Sequence, residues 1–188
     1  MKILCFSGSL RKDSFNKKLA LYAQKELTKM GLEATFIDLA DYPLPLYNQD
    51  VQPSEFPKNA LILESLMKES HAWLISSPEH NCSISSALKN LIDWVSRAPD
   101  NNPNFSLFDE KIVALMAASP SNLGGTRGLR HLREILTSVG CITIPSQTTI
   151  AQAYSAFDEE GKLIEEANQK AVSKTLEQLS RFIDKLLA

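Results

Sequence analysis

The sequence predicts a three-layer α/β sandwich, in which helices cover both faces of a five-stranded parallel sheet with strand order 2-1-3-4-5. Strand and helix patterns alternate along the 188 residues without internal repeats, and such alternation is typical of parallel sheets. The strand segments are continuously apolar, as expected of strands that are buried on both faces. Right-handed crossovers leave few strand orders, and 2-1-3-4-5 is the commonest for five strands. We therefore expect a single domain over residues 1–188.

Short apolar runs and helical periodicity mark the individual elements. The predicted strands cover residues 3–6, 34–39, 72–76 and 111–117, and a fifth begins at residue 142. Apolar residues at intervals of three and four predict amphipathic helices between these strands. The helical patterns span residues 15–30, 58–70, 88–95, 129–139 and 172–186. Gly31, which directly follows the first pattern, is a natural helix end.

The loops that follow strands 1, 3 and 4 are residues 7–16, 77–86 and 119–126. In sheets of this order, ligands bind outside the carboxyl ends of the strands, where the strand order reverses. That point lies between strands 1 and 3, so we expect these three loops to meet at one site. A Pro-rich stretch at residues 42–57 is too long for a simple turn and is a further candidate for a functional loop. A polar loop is predicted at residues 98–110.

The first loop has the composition of a phosphate site. Between a strand and a helix start it carries Gly8, Arg11 and the hydroxyls of Ser9 and Ser14. Free backbone N–H groups and the positive end of the helix favour an anion, and an arginine adds a charge-assisted hydrogen bond. Each residue taken alone also has a purely structural explanation: Ser14 can cap the first helix, and Gly8 can allow a tight turn. Their concentration in one loop favours anion binding.

Composition and charge argue against several other classes of function. The net charge is −2 and the pI is about 5.9, so no basic surface for nucleic acid or for an anionic membrane is expected. No apolar stretch reaches the ~20 residues of a membrane span, and because the first predicted strand begins so early we expect no signal peptide. The three cysteines lack the spacing of a metal site or of a redox pair. We expect no metal and a cytoplasmic location.

Several motifs of the chain resemble those of the NADPH-dependent FMN reductase family. The matching segments are residues 8–16, 43–48, 78–94 and 118–127. The segment at 78–94 is the most specific of them, and the one at 118–127 is weaker. The resemblance covers the chain up to about Gln147. It implies a flavodoxin-like fold that binds FMN, with NADPH or NADH as the electron donor.

The resemblance also implies a set of cofactor-binding residues. Those that hold the FMN phosphate are Ser9, Arg11, Ser14 and Asn16, with Phe15 in the same site. Those that line the flavin edge and the ribityl chain are Pro78, Glu79, His80, Asn81, Cys82 and Ser83. Ser119 and Gly124 are expected near the ring from the other side. Arg127 and Arg130 are candidates for the NADPH phosphate, although charges on an exposed helix face are usually solvated.

The implied activity is that of an FMN-dependent NAD(P)H oxidoreductase. In the ping-pong cycle that the resemblance implies, nicotinamide passes a hydride to N5 of FMN and leaves, and the acceptor then enters the same open face. The expected acceptors are small molecules, namely quinones, free flavin, azo dyes or metal oxyanions such as chromate. No side-chain acid or base is required, so no catalytic residue is assigned. The resemblance further implies a homodimer or a homotetramer.

Four positions depart from the family's pattern or add a reactive group. Ser85 and Ser86 stand where family members usually carry Pro-Gly, and because serine is a good N-cap we expect the helix to persist. His80 replaces a common Tyr and adds a pH-sensitive group. Cys82 is either a redox-reactive thiol or a passive loop residue. The passive role is favoured, because the sequence shows no partner that would lower its pKa.

Two alternatives remain open at this point. Cys5 and Arg11 have the C-x5-R spacing of low-molecular-weight tyrosine phosphatases, whose nucleophilic thiolate needs a lowered pKa. Against this alternative, the chain has no Asp-Pro pair for the acid, and Cys5 lies within the predicted first strand. The second alternative is a non-enzymatic, flavodoxin-like electron carrier. The first loop lacks the Thr-rich pattern of those carriers, and a net charge of −2 is far from their strong acidity.

Overall fold

A computed structural model of the protein describes residues 1–50, 52–99 and 102–186. Residues 51, 100 and 101, which belong to the predicted loops 42–57 and 98–110, lie outside the described residues, as do residues 187–188. The elements are β1 Lys2–Ser7, α1 Phe15–Lys29, β2 Glu33–Ile37, a short 3-10 helix Leu39–Asp41, α2 Lys58–Glu69, β3 Ala72–Ser76, α3 Ser86–Val95, β4 Ile112–Ala118, α4 Thr126–Ser138, β5 Ile142–Ile150, α5 Ala153–Ala156 and α6 Glu166–Leu186.

The five strands form one parallel sheet in the order β2-β1-β3-β4-β5, which confirms the predicted topology. Cys5 in β1 lies between Phe36 of β2 and Leu74 of β3 in the register of the sheet. The strand order therefore reverses at β1, and the loops after β1 and β3 leave the sheet side by side. This is the place where the sequence predicts a ligand site.

The helices cover both faces of the sheet and complete the three layers. On one face, Leu74 packs in a core with apolar residues of α1 and α6, such as Leu19 and Leu176. On the other face, its neighbour Trp73 packs in a core with apolar residues of α2, α3 and α4. Adjacent strand residues thus face different helix layers, which explains why the strands are apolar throughout. Within the described residues, none of the helices is both long and apolar enough to cross a membrane.

The fifth strand begins at Ile142, as predicted, and runs to Ile150 across an irregularity in its pairing. Pairing with β4 passes from Val113 opposite Thr143 to Leu115 opposite Gln147, so β5 carries two extra residues at this step. Pro145 lies inside the irregularity, on an edge strand. Because proline cannot donate a ladder hydrogen bond, it is tolerated at bulges and edges, and the strand resumes after it.

Smaller differences from the predictions occur elsewhere in the chain. β2 ends at Ile37 rather than residue 39, because the Asp38 side chain accepts a hydrogen bond from the Ala40 N–H at 3.0 Å and begins the 3-10 helix. The short helix α5 is not among the predicted helices. Finally, α6 begins at Glu166, before the first apolar position of its periodic stripe.

The long loop after β2 packs on the outer side of α3. The Trp94 side chain is fully buried there, and its indole N–H donates to the Pro45 carbonyl at 2.8 Å. The Asn90 side chain donates to the same carbonyl at 2.9 Å and accepts from the Tyr47 N–H at 2.8 Å. Tyr47 and Phe56 pack edge-on against the Trp94 ring. The described part of this loop is therefore fastened to α3.

Candidate functional site

Three loops meet at the carboxyl edge of the sheet, as predicted, and they are named here for later use. The serine loop is residues 7–16, the hairpin loop is residues 77–86 and the glycine loop is residues 119–126. The serine and hairpin loops are joined because the Ser85 hydroxyl donates a hydrogen bond to the Gly8 carbonyl. A Cβ atom at Gly8 would lie 3.0 Å from Leu88 Cβ and 3.3 Å from Pro78 Cδ. Glycine at this position therefore lets the two loops approach each other.

The serine loop presents backbone donors that the protein itself does not use. Its hydroxyls satisfy part of the backbone, since Ser9 Oγ accepts from the Arg11 N–H at 3.3 Å and Ser14 Oγ accepts from the Asn16 N–H at 3.2 Å. Within the described part of the chain, the backbone N–H groups of Leu10, Lys12 and Asp13 donate no hydrogen bond to a backbone or side-chain acceptor. Unpaired N–H groups before a helix N-terminus form a ready anion site.

Arg11 and Ser14 occupy the positions that such an anion site requires. The Arg11 guanidinium is exposed and donates to the Asp13 carbonyl at 3.4 Å. Ser14 is buried and is the N-cap of α1, whose first turn contains no acidic residue. No acidic side chain of the first turn therefore occupies the positive end of α1, which suits a phosphate group.

Two other predicted residues of this loop face the protein instead. The Asn16 side chain donates to the Ala118 carbonyl at 2.8 Å, and its oxygen accepts from the Ala118 N–H at 2.9 Å and from the Ser76 hydroxyl at 3.0 Å. It therefore ties α1 to the ends of β3 and β4. The Phe15 ring packs edge-on against Tyr154, at 5.2 Å between centroids. Asn16 and Phe15 are structural supports in this arrangement, and their direct contact with a cofactor stays a prediction.

The hairpin loop is built around a tight reversal from His80 to Ser83. The backbones of these two residues exchange N–H to carbonyl hydrogen bonds, both of 2.9 Å. Between them, Asn81 and Cys82 have positive φ angles of 48° and 66°. Two successive left-handed residues define the type I′ turn, which closes two-residue hairpins. His80, Asn81 and Cys82 are exposed at its tip, whereas Pro78 before it is buried.

Glu79 points from the hairpin loop to the start of α4. One carboxylate oxygen accepts from the backbone N–H groups of Arg127 and Gly128 at 2.9 and 3.0 Å. The other accepts from Nε of Arg127 at 2.9 Å and lies 2.7 Å from Nη2 of that residue. Burial alone raises the pKa of Glu79, but the hydrogen bonds from Gly128 and Arg127, with the Arg127 charge, hold that pKa below its ordinary value.

The glycine loop follows β4 and turns sharply into α4. Ser119 Oγ accepts from the Ser121 N–H at 3.2 Å, and the Ser119 N–H donates to the Ile150 carbonyl at 3.0 Å. Gly124 and Gly125 both have positive φ, of 60° and 96°. At Gly125 a Cβ atom would lie 2.7 Å from Ala117 Cβ, so a larger residue is excluded by packing as well as by conformation.

The structure also shows contacts around the site that the sequence did not predict. Arg127, a candidate for the NADPH phosphate, instead pairs with Glu79. His131 of α4 lies with its Nδ1 3.0 Å from the Ser83 hydroxyl, and Tyr154 stands 81% exposed beside the serine loop. The sequence did contain a sign that α4 needs a distant cap, because this helix begins after Gly125, which has no side chain to accept a hydrogen bond. The partner that supplies the cap is 48 residues away, beyond local patterns.

Cys5 does not have the environment of a phosphatase nucleophile. Its side chain is fully buried within β1, and burial raises the pKa of its thiol to about 12. An attacking thiolate needs the opposite shift. The C-x5-R spacing of Cys5 and Arg11 is therefore a coincidence of a buried strand residue with a loop arginine.

Comparisons with known proteins identify the family of the chain. A model of the NADPH-dependent FMN reductase family matches residues 1–155. An NAD(P)H-dependent FMN reductase of Pseudomonas aeruginosa is 31% identical over 187 residues, which cover 99% of this chain and 97% of the relative. A quinone reductase of Pseudomonas putida is 34% identical over 180 residues, which cover 95% of this chain and 88% of the relative.

A solved structure gives the same result. The flavoenzyme FerB of Paracoccus denitrificans, an NAD(P)H:(acceptor) oxidoreductase, superimposes with a TM-score of 0.82 at 29% identity, covering 98% of this chain and 97% of that chain. The matched region includes all three loops, and the resemblance that the motifs indicated is confirmed. The chain belongs to the NADPH-dependent FMN reductase family of oxidoreductases.

Proposed function

We propose that this protein transfers electrons from NAD(P)H to a quinone, with FMN held at the carboxyl edge of the sheet. Family membership confirms the expectations that the chain is an oxidoreductase, that FMN is its cofactor and that NAD(P)H is its electron donor. The observation that carries the proposal is the serine loop, with its unpaired backbone N–H groups beside an exposed arginine. These groups fit the terminal phosphate of FMN.

The residues that would hold FMN fall into two groups. On the phosphate side, the backbone of Leu10, Lys12 and Asp13 would donate to phosphate oxygens together with Arg11. Ser9 and Ser14 support this geometry through their own backbone contacts. On the ring side we keep the remaining predicted set, Pro78, Glu79, His80, Asn81, Cys82, Ser83, Ser119 and Gly124, with Glu79 acting through its bonds to α4. When bound there, FMN supplies a ring that accepts a hydride and passes electrons on.

The protein's own contribution to the reaction is to position the cofactor, the donor and the acceptor. The turn from His80 to Ser83 presents exposed backbone and side chains at one side of the cleft, and Glu79 is already occupied by α4. Hydride transfer to a correctly placed acceptor needs no general acid or base from the protein. We propose that donor and acceptor use one open face in turn, which gives ping-pong kinetics.

The proposed acceptor class is the quinones, with free flavin, azo dyes and metal oxyanions as the further acceptors to compare. The quinone reductase of Pseudomonas putida, which is 34% identical over most of both chains, supports this choice. We also propose that residues 1–188 act as one domain in a cytoplasmic homodimer or homotetramer. Sedimentation of the FMN-loaded protein measures that oligomeric state.

Steady-state kinetics test the proposal. The FMN-loaded protein is assayed with NADPH and NADH as donors and with benzoquinone, free FMN, an azo dye and chromate as acceptors. The proposal predicts that benzoquinone has the highest kcat/KM, with parallel double-reciprocal lines when donor and acceptor are varied together. Bound FMN that neither NADPH nor NADH reduces would instead identify an electron carrier and would contradict the proposal.

A further inference from the structure

We propose that Glu79 is a positioning residue that fixes the distance between the hairpin loop and the glycine loop by capping α4 from outside that helix. The inference rests on the proposed function, because these two loops are the ones assigned to the flavin ring. The resemblance implies that Glu79 lines the flavin edge, and the inference gives this side chain the different role of setting the shape of the pocket.

The first step is that α4 cannot cap itself. Its N-cap residue is Gly125, which has no side chain to accept a hydrogen bond, and its first turn contains no acidic residue. The first N–H groups of a helix have no partner inside the helix and need an external acceptor. Glu79 supplies that acceptor for the N–H groups of Arg127 and Gly128.

The second step is that the Glu79 carboxylate is fully used. It receives hydrogen bonds from the two backbone N–H groups and from Arg127 Nε, and its second oxygen also lies 2.7 Å from Arg127 Nη2. A carboxylate offers about four lone-pair sites, so these four donors saturate it. The Glu79 side chain is 7% exposed, whereas that of Arg127 is 48% exposed. Glu79 is therefore occupied by α4 and has no free lone pair for FMN.

The third step is that the hairpin loop packs closely against α4. A Cβ atom at Gly128 would come within 3.1 Å of the Ser83 carbonyl oxygen and 3.3 Å of Glu79 Cα. Ser83 is joined to His131 of the same helix, one turn further along. The exposed tip residues His80, Asn81 and Cys82 lie between these two anchors. Loss of the Glu79 anchor would free the tip and change the separation of the two loops.

The test compares Glu79→Gln with Glu134→Gln in FMN binding and in thermal unfolding. Glu134 is an exposed carboxylate on the same helix, so its variant carries the same change of charge without the cap. We expect Glu79→Gln to weaken FMN binding about tenfold, because the negative charge that strengthens all of these contacts is lost and an amide NH2 can no longer accept from Arg127. We expect Glu134→Gln to leave the Kd within about twofold. Arg127→Met, which keeps the backbone cap, should give a smaller loss than Glu79→Gln.

The unfolding data separate positioning from a general structural role. By linkage, a ligand raises the Tm according to its affinity for the folded state. If Glu79 positions the loops, the rise in Tm that FMN produces is smaller in Glu79→Gln than in the wild type. If Glu79→Gln lowers the Tm by the same amount with and without FMN, and leaves the Kd for FMN unchanged, the inference is overturned. This outcome would not affect the proposal that the wild type binds FMN. Failure of the wild type itself to bind FMN would contradict the proposed function.

Discussion

The serine loop and the pair formed by the hairpin and glycine loops are built on different principles, although they border the same site. In the serine loop, the hydroxyl groups that shape the backbone around the proposed phosphate site bind residues two or three positions away, such as Ser9 with Arg11 and Ser14 with Lys17. Between the other two loops, the decisive bonds span about 50 residues and join the hairpin loop to the start of α4, as the bond from the Gly128 N–H to Glu79 does. A phosphate cradle can thus be specified locally, whereas a pocket for a wide flat ring needs parts held together across the fold.

The largest expected effect comes from a variant that disturbs the glycine loop, one of the two loops held by long-range contacts. Gly125→Ala should destabilise the fold by about 2–4 kcal/mol, because the new Cβ meets Ala117 Cβ at 2.7 Å and φ is 96°. Urea unfolding measures the loss. Gly31→Ala is the matched control, since its φ is 82° but nothing lies within 4 Å of the added atom. Equal losses in the two variants would show that conformation alone, and not packing of the glycine loop, sets the cost.

The next largest effect is expected from a variant of the serine loop, which is shaped by short-range hydrogen bonds. Arg11→Ala should weaken FMN binding by about 1.5–3 kcal/mol, or roughly tenfold to a hundredfold, because a charge-assisted hydrogen bond to phosphate is removed. Quenching of flavin fluorescence gives the Kd. Riboflavin, which lacks the phosphate, should bind the variant and the wild type equally. An unchanged Kd for FMN would refute the assignment of Arg11 to the phosphate.

A third variant acts where the two regions touch. Ser85→Ala removes the N-cap of α3, in which the hydroxyl accepts from the Leu88 N–H at 3.2 Å, and the bond to the Gly8 carbonyl. We expect a stability loss of about 1–2 kcal/mol from the cap. Ser86→Ala, at the exposed neighbouring position, should change the free energy of unfolding much less. Similar losses in both variants would contradict the capping role.

The smallest effect is a dependence on pH. Because the pKa of Glu79 is lower in the folded protein than its ordinary value of 4.5, its contribution to stability is complete above that value and is lost as the pH falls through the folded-state pKa. The difference in unfolding free energy between the wild type and Glu79→Gln should therefore be constant near neutral pH and shrink in acid. A difference that grows on acidification would mean that the folded protein raises this pKa.

The same contrast explains what the sequence could and could not predict. The strand order, the three converging loops and the serine loop follow from apolar runs, helical periodicity and short-range turn chemistry. The sequence predicts only where β5 begins, because the course of the strand past Pro145 depends on an irregularity in its pairing with β4 at the sheet edge. The Asn16 bonds to Ala118 and the Glu79 bonds to α4 were missed because each spans tens of residues.

The measurement that tests the central claim most directly is the visible absorption spectrum of the FMN-loaded protein during anaerobic addition of NADPH and then of benzoquinone. The account predicts that the flavin bands bleach with NADPH and return in full when the quinone is added. NADH is tried in the same way where NADPH gives no change. Flavin bands that persist through both donors, or that bleach and are not restored by the quinone, would contradict it.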